Sequence, residues 1–254
     1  MLTLFTNGLS PFARKVAMAL EYKGLAYESV DSLTHANRER LIAINPRAEV
    51  PVLVDGDITV VNSSDIVAYL DLKYPERPIY PANLNARVEA RALERLADTR
   101  IDAIMLDCSI WTWAERHDQP PPGLREAGQR DLDSIFARIE ETLGRYATPL
   151  PFGHLTISEF ALWPHLAALR PLGFTMDGAK VPRLSAWFAA MRREKVCMDD
   201  ARRTADFMKS IGTNASFERT KIFWRGDRIE WLLARGYHDW FMGEIESGRV
   251  LWPD

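Results

Sequence analysis

Ser10-Pro11-Phe12-Ala13-Arg14 carries the clearest chemical signal in this chain. A serine followed by proline at the head of an apolar helical pattern marks a helix start. The serine suits the N-cap, and proline suits the first helical position because its missing N–H would lie unpaired there anyway. The Ser10 hydroxyl therefore stands at the positive end of a helix, where an anion is stabilised. A thiolate is such an anion, which makes Ser10 a candidate to hold one. Read alone, the same serine is an ordinary cap, the more frequent case. Other chemistries fit less well. Gly8-Leu9-Ser10-Pro11-Phe12 lacks the second glycine of a nucleophile elbow, which argues against a serine hydrolase. There is no phosphate loop and no dinucleotide fingerprint. His35, His117, His154, His165 and His238 show no metal-ligand spacing, so they read as surface or capping residues and no metal is expected. Cys108 and Cys197 are far apart and form no CxxC, so neither a disulfide framework nor a dithiol redox motif is indicated.

The elements around Ser10 alternate. Leu2–Thr6 reads as a strand and Pro11–Lys23 as a helix stopped by Gly24. Tyr27–Val30 is a second strand. His35–Ile44 is a short helix ended by Asn45-Pro46, because the residue before proline is pushed out of the α region. Val52–Val54 and Ile58–Val61 flank Asp55-Gly56-Asp57 as an antiparallel hairpin. Ser63–Tyr74 is a helix with Ile66, Val67 and Leu70 inward. The order is β-α-β-α-β-β-α. Pro75, Pro78 and Pro81 form a linker. Beyond it Val88, Ala92, Leu96, Ile101, Ile104, Met105 and Cys108 follow helical spacing. Leu132, Ile135, Phe136, Ile139 and Leu143 mark a further helix. Thr156-Ile157-Ser158-Glu159 is a capping box opening another, and Leu184, Trp187, Phe188 and Met191 give one more. From about Ala205 the composition changes: Trp224, Trp231, Trp240 and Trp252 all lie in this last stretch, which argues for docking onto the body. Asp227 is expected to cap a short helix there.

The 254 residues, with 47% hydrophobic and 26% charged content, suit a globular protein of two domains. A net charge of -3 gives no general pull toward nucleic acid or an anionic membrane. No apolar run reaches membrane-spanning length and no signal-peptide pattern opens the chain, so a cytoplasmic protein is expected.

Several stretches, in order, resemble the cytosolic glutathione transferase family over roughly the first four fifths of the chain. Ser10-Pro11-Phe12-Ala13-Arg14 is similar to the family's catalytic loop, closest to the Ser-type version of the tau class; the omega class carries Cys at this point. Asn45-Pro46-Arg47-Ala48-Glu49-Val50-Pro51-Val52-Leu53 resembles the stretch leading to the family's cis-proline. Asn62-Ser63-Ser64-Asp65-Ile66-Val67-Ala68-Tyr69-Leu70 resembles the Glu-Ser stretch that opens the third helix. Thr156-Ile157-Ser158-Glu159-Phe160 resembles the capping box of the helical domain.

The resemblance implies an α/β thioredoxin-like N-terminal domain (βαβαββα, residues 1–76), an all-α C-terminal domain (82–204) and a Trp-rich extension (205–254). It implies glutathione as substrate, a small hydrophobic electrophile as acceptor, a detoxification role and a homodimer, with neither nucleic acid nor membrane as partner. Ser10 would donate a hydrogen bond to the glutathione sulfur. Val50 and Pro51, through a cis peptide, would turn main-chain groups toward the cysteinyl unit. Ser63 would receive the γ-glutamyl carboxylate. Asn62 stands where the family usually has Glu, so a salt bridge to the glutathione amino group is lost; Asp65, in the first helical turn, either compensates or complements the helix dipole. Arg38, Arg40 and His35 lie where the family often has a basic residue for the glycyl carboxylate. Arg14 is placed to pair with a carboxylate and position the loop. Phe12, Trp111 and Trp113 are implied on the acceptor side. The extension either folds over the acceptor pocket or buttresses the helical domain. The same resemblance leaves open a non-catalytic member acting through protein interactions, as in stringent-starvation or translation-factor relatives.

Overall fold

The structure, a computed structural model, describes residues 1–32, 34–114, 116–214 and 221–252. The first unit runs β1 (Leu2–Thr6), α1 (Pro11–Lys23), β2 (Tyr27–Asp31), α2 (His35–Ile44), β3 (Val52–Asp55), β4 (Ile58–Val61) and α3 (Ser63–Lys73). Its strands form one mixed sheet in the order β2-β1-β3-β4, β1 being parallel to β2 and antiparallel to β3. This is the thioredoxin-like arrangement. Asp55 pairs with Ile58 across a two-residue turn, and Gly56 takes the positive φ of 61° that such primed turns demand.

The second unit is helical: α4 (Leu84–Leu96), a π-type turn (Ala97–Ile101), α5 (Asp102–Trp113), α6 (Leu124–Leu143), α7 (Ile157–Ala168), α8 (Pro182–Met191) and α9 (Lys195–Asn214). Thr156 and Glu159 form the expected capping box at α7: the Ser158 N–H donates to Thr156 Oγ1 at 3.3 Å, and the Thr156 N–H donates to Glu159 Oε2 at 2.9 Å. The last stretch folds as β5 (Ile222–Phe223), α10 (Gly226–Ala234), α11 (His238–Glu246) and β6 (Val250–Leu251), with β5 and β6 paired in parallel.

Four expectations change here. The boundary expected near Ala205 falls inside α9, so the helical body runs on to Asn214. Val88 and Ala92 face outward on α4; the inward face carries Ala90 and Leu93, followed by Ala97 of the π-type turn. The inward stripe was hidden because it includes a charged residue, Glu94, which is buried against a lysine of α1. Arg225, not Asp227, holds the cap position of α10, and Asp227 lies in its first turn. His165 is a buried residue of α7, not a surface one; its Nδ1 lies 2.8 Å from the Ala161 carbonyl and its Nε2 3.4 Å from Asp102.

α1 is the central helix. It packs on the first unit's sheet and α3 on one side and on α7 and α9 on the other. Every residue from Ala13 to Leu20 is buried, Arg14 and Lys15 included. A helix buried on all faces normally carries no charge, so each of these two cations needs a built partner.

Candidate active site

Strand register gathers the sequence-picked residues at one end of the sheet. Phe5 pairs with Val52 and Val52 pairs with Val61. The C-terminal end of β1, the N-terminal end of β3 and the C-terminal end of β4 therefore lie side by side. From these three ends emerge Ser10, the Val50-Pro51 peptide and Asn62-Ser63.

Ser10 caps α1. Its Oγ accepts from the Ala13 N–H at 3.3 Å, and Pro11 occupies the first turn. A hydroxyl that accepts one bond retains its own proton to donate. The Ser10 N–H donates to the Asn7 carbonyl at 3.0 Å, which closes the loop and fixes the cap. The Val50-Pro51 peptide is cis. Among the described residues, neither main-chain group of Val50 enters a loop hydrogen bond. Ser63 opens α3, and the N–H groups of the first helical turn have no intrahelical acceptor.

Asn62 has φ 67° and ψ 129°, a sparsely populated region for any side chain. Such backbone costs on the order of 1–3 kcal/mol and concentrates at ligand sites. The Asn62 amide donates to Asp65 Oδ2 at 3.3 Å. A carboxylate thus lies beside Asn62, in the first turn of α3.

Arg38 is exposed in the first turns of α2. Arg40 is exposed too, but donates to Asn37 and lies 5.4 Å over the Phe5 ring. The side chain of His35 lies outside the described residues. Arg47, three residues before Val50, pairs with Glu49 at 2.9 Å and is half exposed.

The two buried cations of α1 brace Ser10 from behind. Arg14 makes a two-pronged pair with Asp200 of α9, with Nε to Oδ1 at 3.0 Å and Nη2 to Oδ2 at 2.6 Å, and its Nη1 donates to the Pro164 carbonyl at 3.2 Å. The Trp163 indole N–H also donates to Asp200, at 2.9 Å. Lys15 meets Glu94 at 3.0 Å and Asp98 at 2.5 Å, and the Ser64 hydroxyl donates to the same Glu94 at 2.7 Å. Burial pushes the Asp98 carboxyl up, against the pull of Lys15. Lys15 thereby ties the helix of Ser10 to the helix of Ser63 and to the second unit. The signal for it was a pair of cations, Arg14 and Lys15, inside an otherwise apolar helical run.

The three residues implied on the acceptor side have these neighbours. Phe12 lies edge-on to His165, ring centres 6.2 Å apart, and beneath the Arg225 guanidinium at 4.8 Å. Trp111 packs against Trp240 of α11, 5.7 Å between centres, while Trp113 donates from its indole N–H to Ser109 at 3.1 Å. Arg225 also pairs with Asp102 at 2.6 Å. Burial alone would raise the Asp102 carboxyl, but His165 and Arg225 outweigh it and hold it below the usual range. The contacts of Arg225 with Phe12 and Asp102 leave no signal in the sequence, since nothing in the local pattern says which surface a C-terminal segment will meet.

Cys108 and Cys197 are buried and unpaired, and burial pushes both thiols up. Neither offers a protein thiolate. Among the described residues no cluster of His, Cys, Asp and Glu could hold a metal ion, and no helix is long and apolar enough to cross a membrane.

Two family models match the chain: "Glutathione S-transferase, N-terminal domain" over residues 4–78 and "Glutathione S-transferase, C-terminal domain" over residues 122–190. Glutathione S-transferase 1 of Dianthus caryophyllus is 30% identical over 191 residues, covering 72% of this chain and 83% of that protein. A stringent starvation protein A homolog of Pasteurella multocida is 34% identical over 217 residues, covering 85% and 92%. The crystal structure of a glutathione S-transferase from Rhodospirillum rubrum superposes with a TM-score of 0.68 at 25% identity, covering 82% of this chain and all of that one.

Proposed function

The chain belongs to the glutathione S-transferase family, and on that premise we propose that it binds glutathione across the end of its sheet and activates the thiol for attack on a small hydrophobic electrophile. The observation that carries this reading is the strand register, which sets the Ser10 cap, the Val50-Pro51 peptide and the start of α3 side by side.

In this reading glutathione is the nucleophile and Ser10 a donor. A free thiol has a pKa of about 8.5 and is largely protonated at neutral pH. Lowering it by one unit takes roughly 1.4 kcal/mol of extra stabilisation of the anion. A hydrogen bond to a charged acceptor, together with the positive end of α1, supplies that order of energy. The thiol proton leaves to solvent. The sulfur then forms its bond to the electrophilic carbon while that carbon's leaving group, or its π system, takes up an electron pair.

The Val50 N–H and C=O pair with the cysteinyl backbone as an added strand would. The first-turn amides of α3 and the Ser63 hydroxyl hold the γ-glutamyl carboxylate. Asp65 takes the amino group in place of a carboxylate at position 62. The glycyl carboxylate falls to an exposed guanidinium at this edge, Arg38 on α2 or Arg47 on the loop before Val50. With no cysteine at position 10, mixed-disulfide chemistry is disfavoured. The two cysteines are unpaired, and a cytoplasmic location is part of the proposal.

Titration calorimetry tests the reading. The protein is expected to bind glutathione, and Asp65→Asn to weaken it by roughly threefold, the worth of an exposed ion pair. No heat and no retention on glutathione resin would overturn the enzyme reading. It would leave a transferase-like protein acting through protein contacts, a reading favoured by Asn62 and by the likeness to a stringent starvation protein A homolog.

A homodimer is part of the proposal. Leu72, Leu84 and Val88 are 85%, 72% and 60% exposed on α3 and α4, apolar side chains that a second copy would cover. Sedimentation is expected to give twice the 29.0 kDa of one chain; a clean monomer rules the dimer out.

A further inference from the structure

Ile222–Phe223 is a strand, Arg225 is extended, and burial alternates along residues 222–225, so alternate side chains face opposite ways. Ile222 and Trp224 are each 3% exposed and form one face. Trp224 packs edge-on against Trp240 and Phe241, at 5.9 and 5.3 Å, and Trp240 in turn packs on Trp111 of α5. That face anchors the segment to the second unit.

The other face meets the first unit. The Phe223 ring lies 5.0 Å from the Arg47 guanidinium, and the Arg225 guanidinium lies 4.8 Å from the Phe12 ring. Arg47 is three residues before Val50, and Phe12 is two residues after Ser10. The segment therefore spans from one lip of the candidate site to the other. It is held taut from both sides: β6 pairs with β5, and Arg225 is fixed by Asp102 at 2.6 Å, Asp227 at 2.8 Å and the Asp98 carbonyl at 3.3 Å. A third contact closes the far side of the loop. A Cβ at Gly8 would overlap the Phe207 ring of α9, so only glycine permits this approach.

We propose that Phe223 and Arg225 form the outer wall of the acceptor side of the site, and that this wall selects compact planar electrophiles over bulky ones. The inference rests on the glutathione transferase reading above. The chemistry follows from what the wall is made of. Arg225 already faces two carboxylates, so it offers a charge-balanced guanidinium plane and no anion hook. Arg225 covers the Phe12 ring, so the flat surfaces left for an aromatic or conjugated acceptor are the outer side of the guanidinium and the Phe223 ring. A segment anchored at both lips leaves little room to bow outward around a bulky group.

The test compares two acceptors, 1-chloro-2,4-dinitrobenzene as the compact one and monochlorobimane as the bulkier fused-ring one, with glutathione affinity measured by calorimetry on the same preparations. Phe223→Ala is expected to raise kcat/KM for monochlorobimane relative to the dinitrobenzene by roughly fivefold or more, within the range that filling or emptying a few carbons of a pocket commands. Phe223→Leu keeps most of the volume and is expected to move the ratio less, in the same direction; it decides the matter if the alanine variant does not fold. An unchanged ratio in a folded variant that still binds glutathione overturns the wall and leaves the transferase reading standing. A wild-type protein that binds no glutathione overturns both.

Discussion

Ser10→Ala is expected to lower kcat/KM by roughly ten- to a hundredfold at neutral pH, the cost of one hydrogen bond to a charged sulfur, about 1.5–3 kcal/mol. The pH dependence makes this more than a statement about a missing contact. If Ser10 works by stabilising the thiolate, its removal raises the pKa of bound glutathione by about one to two units. The loss of rate is then large near pH 6.5, where little thiolate is left in the variant, and shrinks toward pH 9, where the thiol ionises unaided. A plot of kcat/KM against pH shows the inflection moving upward. A merely structural serine behaves otherwise. Losing the cap that the Ala13 N–H uses costs about 0.5–2 kcal/mol of stability and lowers activity evenly across the pH range. Ser10→Asp separates the two roles. Aspartate caps a helix as well as serine does, so the fold is kept. Its charge beside the sulfur disfavours the thiolate, so activity is expected to fall further than in the alanine variant. A folded Ser10→Asp protein with wild-type rates would exclude Ser10 from contact with the reacting sulfur.

The parts of this site legible in the sequence are those set by local backbone rules. Ser10-Pro11 announces its helix start because capping and proline geometry are properties of neighbouring residues, and the structure begins α1 at Pro11. Asp55-Gly56-Asp57 announces its hairpin for the same reason, and the hairpin fixes β4 against β3 so that Asn62 and Ser63 arrive beside Val50. What stayed hidden depends on distant partners. Arg14 gives no sign that its carboxylate lies at Asp200, on the far side of the chain, or that Trp163 shares it. Glu94 lies off the apolar spacing read for α4, yet it is buried against Lys15 on the face that carries Ala90 and Leu93. Phe223 and Arg225 look like surface residues of a loop. Their place over Phe12 and Arg47 follows from Ile222 and Trp224 burying the opposite face, which no periodicity within a four-residue stretch could reveal.

Asp200→Ala is expected to cost about 3–5 kcal/mol of stability, because it strands a guanidinium in the core. Arg14 and Asp200 have side chains only 8% and 1% exposed, and the pair is two-pronged. Water cannot reach in to replace the lost carboxylate, and the Trp163 indole N–H loses its acceptor in the same stroke. For a chain of this size that is a fall in Tm on the order of 10 °C, read by thermal unfolding. The pair itself need not be a net gain, since taking two charges out of water costs about as much as their attraction returns. Arg14→Met combined with Asp200→Asn puts this to the test. Methionine fills the arginine stem with no charge, and the side-chain carbonyl of the introduced amide still accepts from the Trp163 indole. The double variant is expected to recover most of the stability lost in Asp200→Ala. Its glutathione transferase activity then shows what the ion pair is for. If the pair serves only packing, the stable double variant has wild-type kcat/KM. If the pair fixes the tilt of α1, and with it the aim of the Ser10 hydroxyl, the double variant folds well but loses rate, with the thiol pKa displaced upward as in Ser10→Ala.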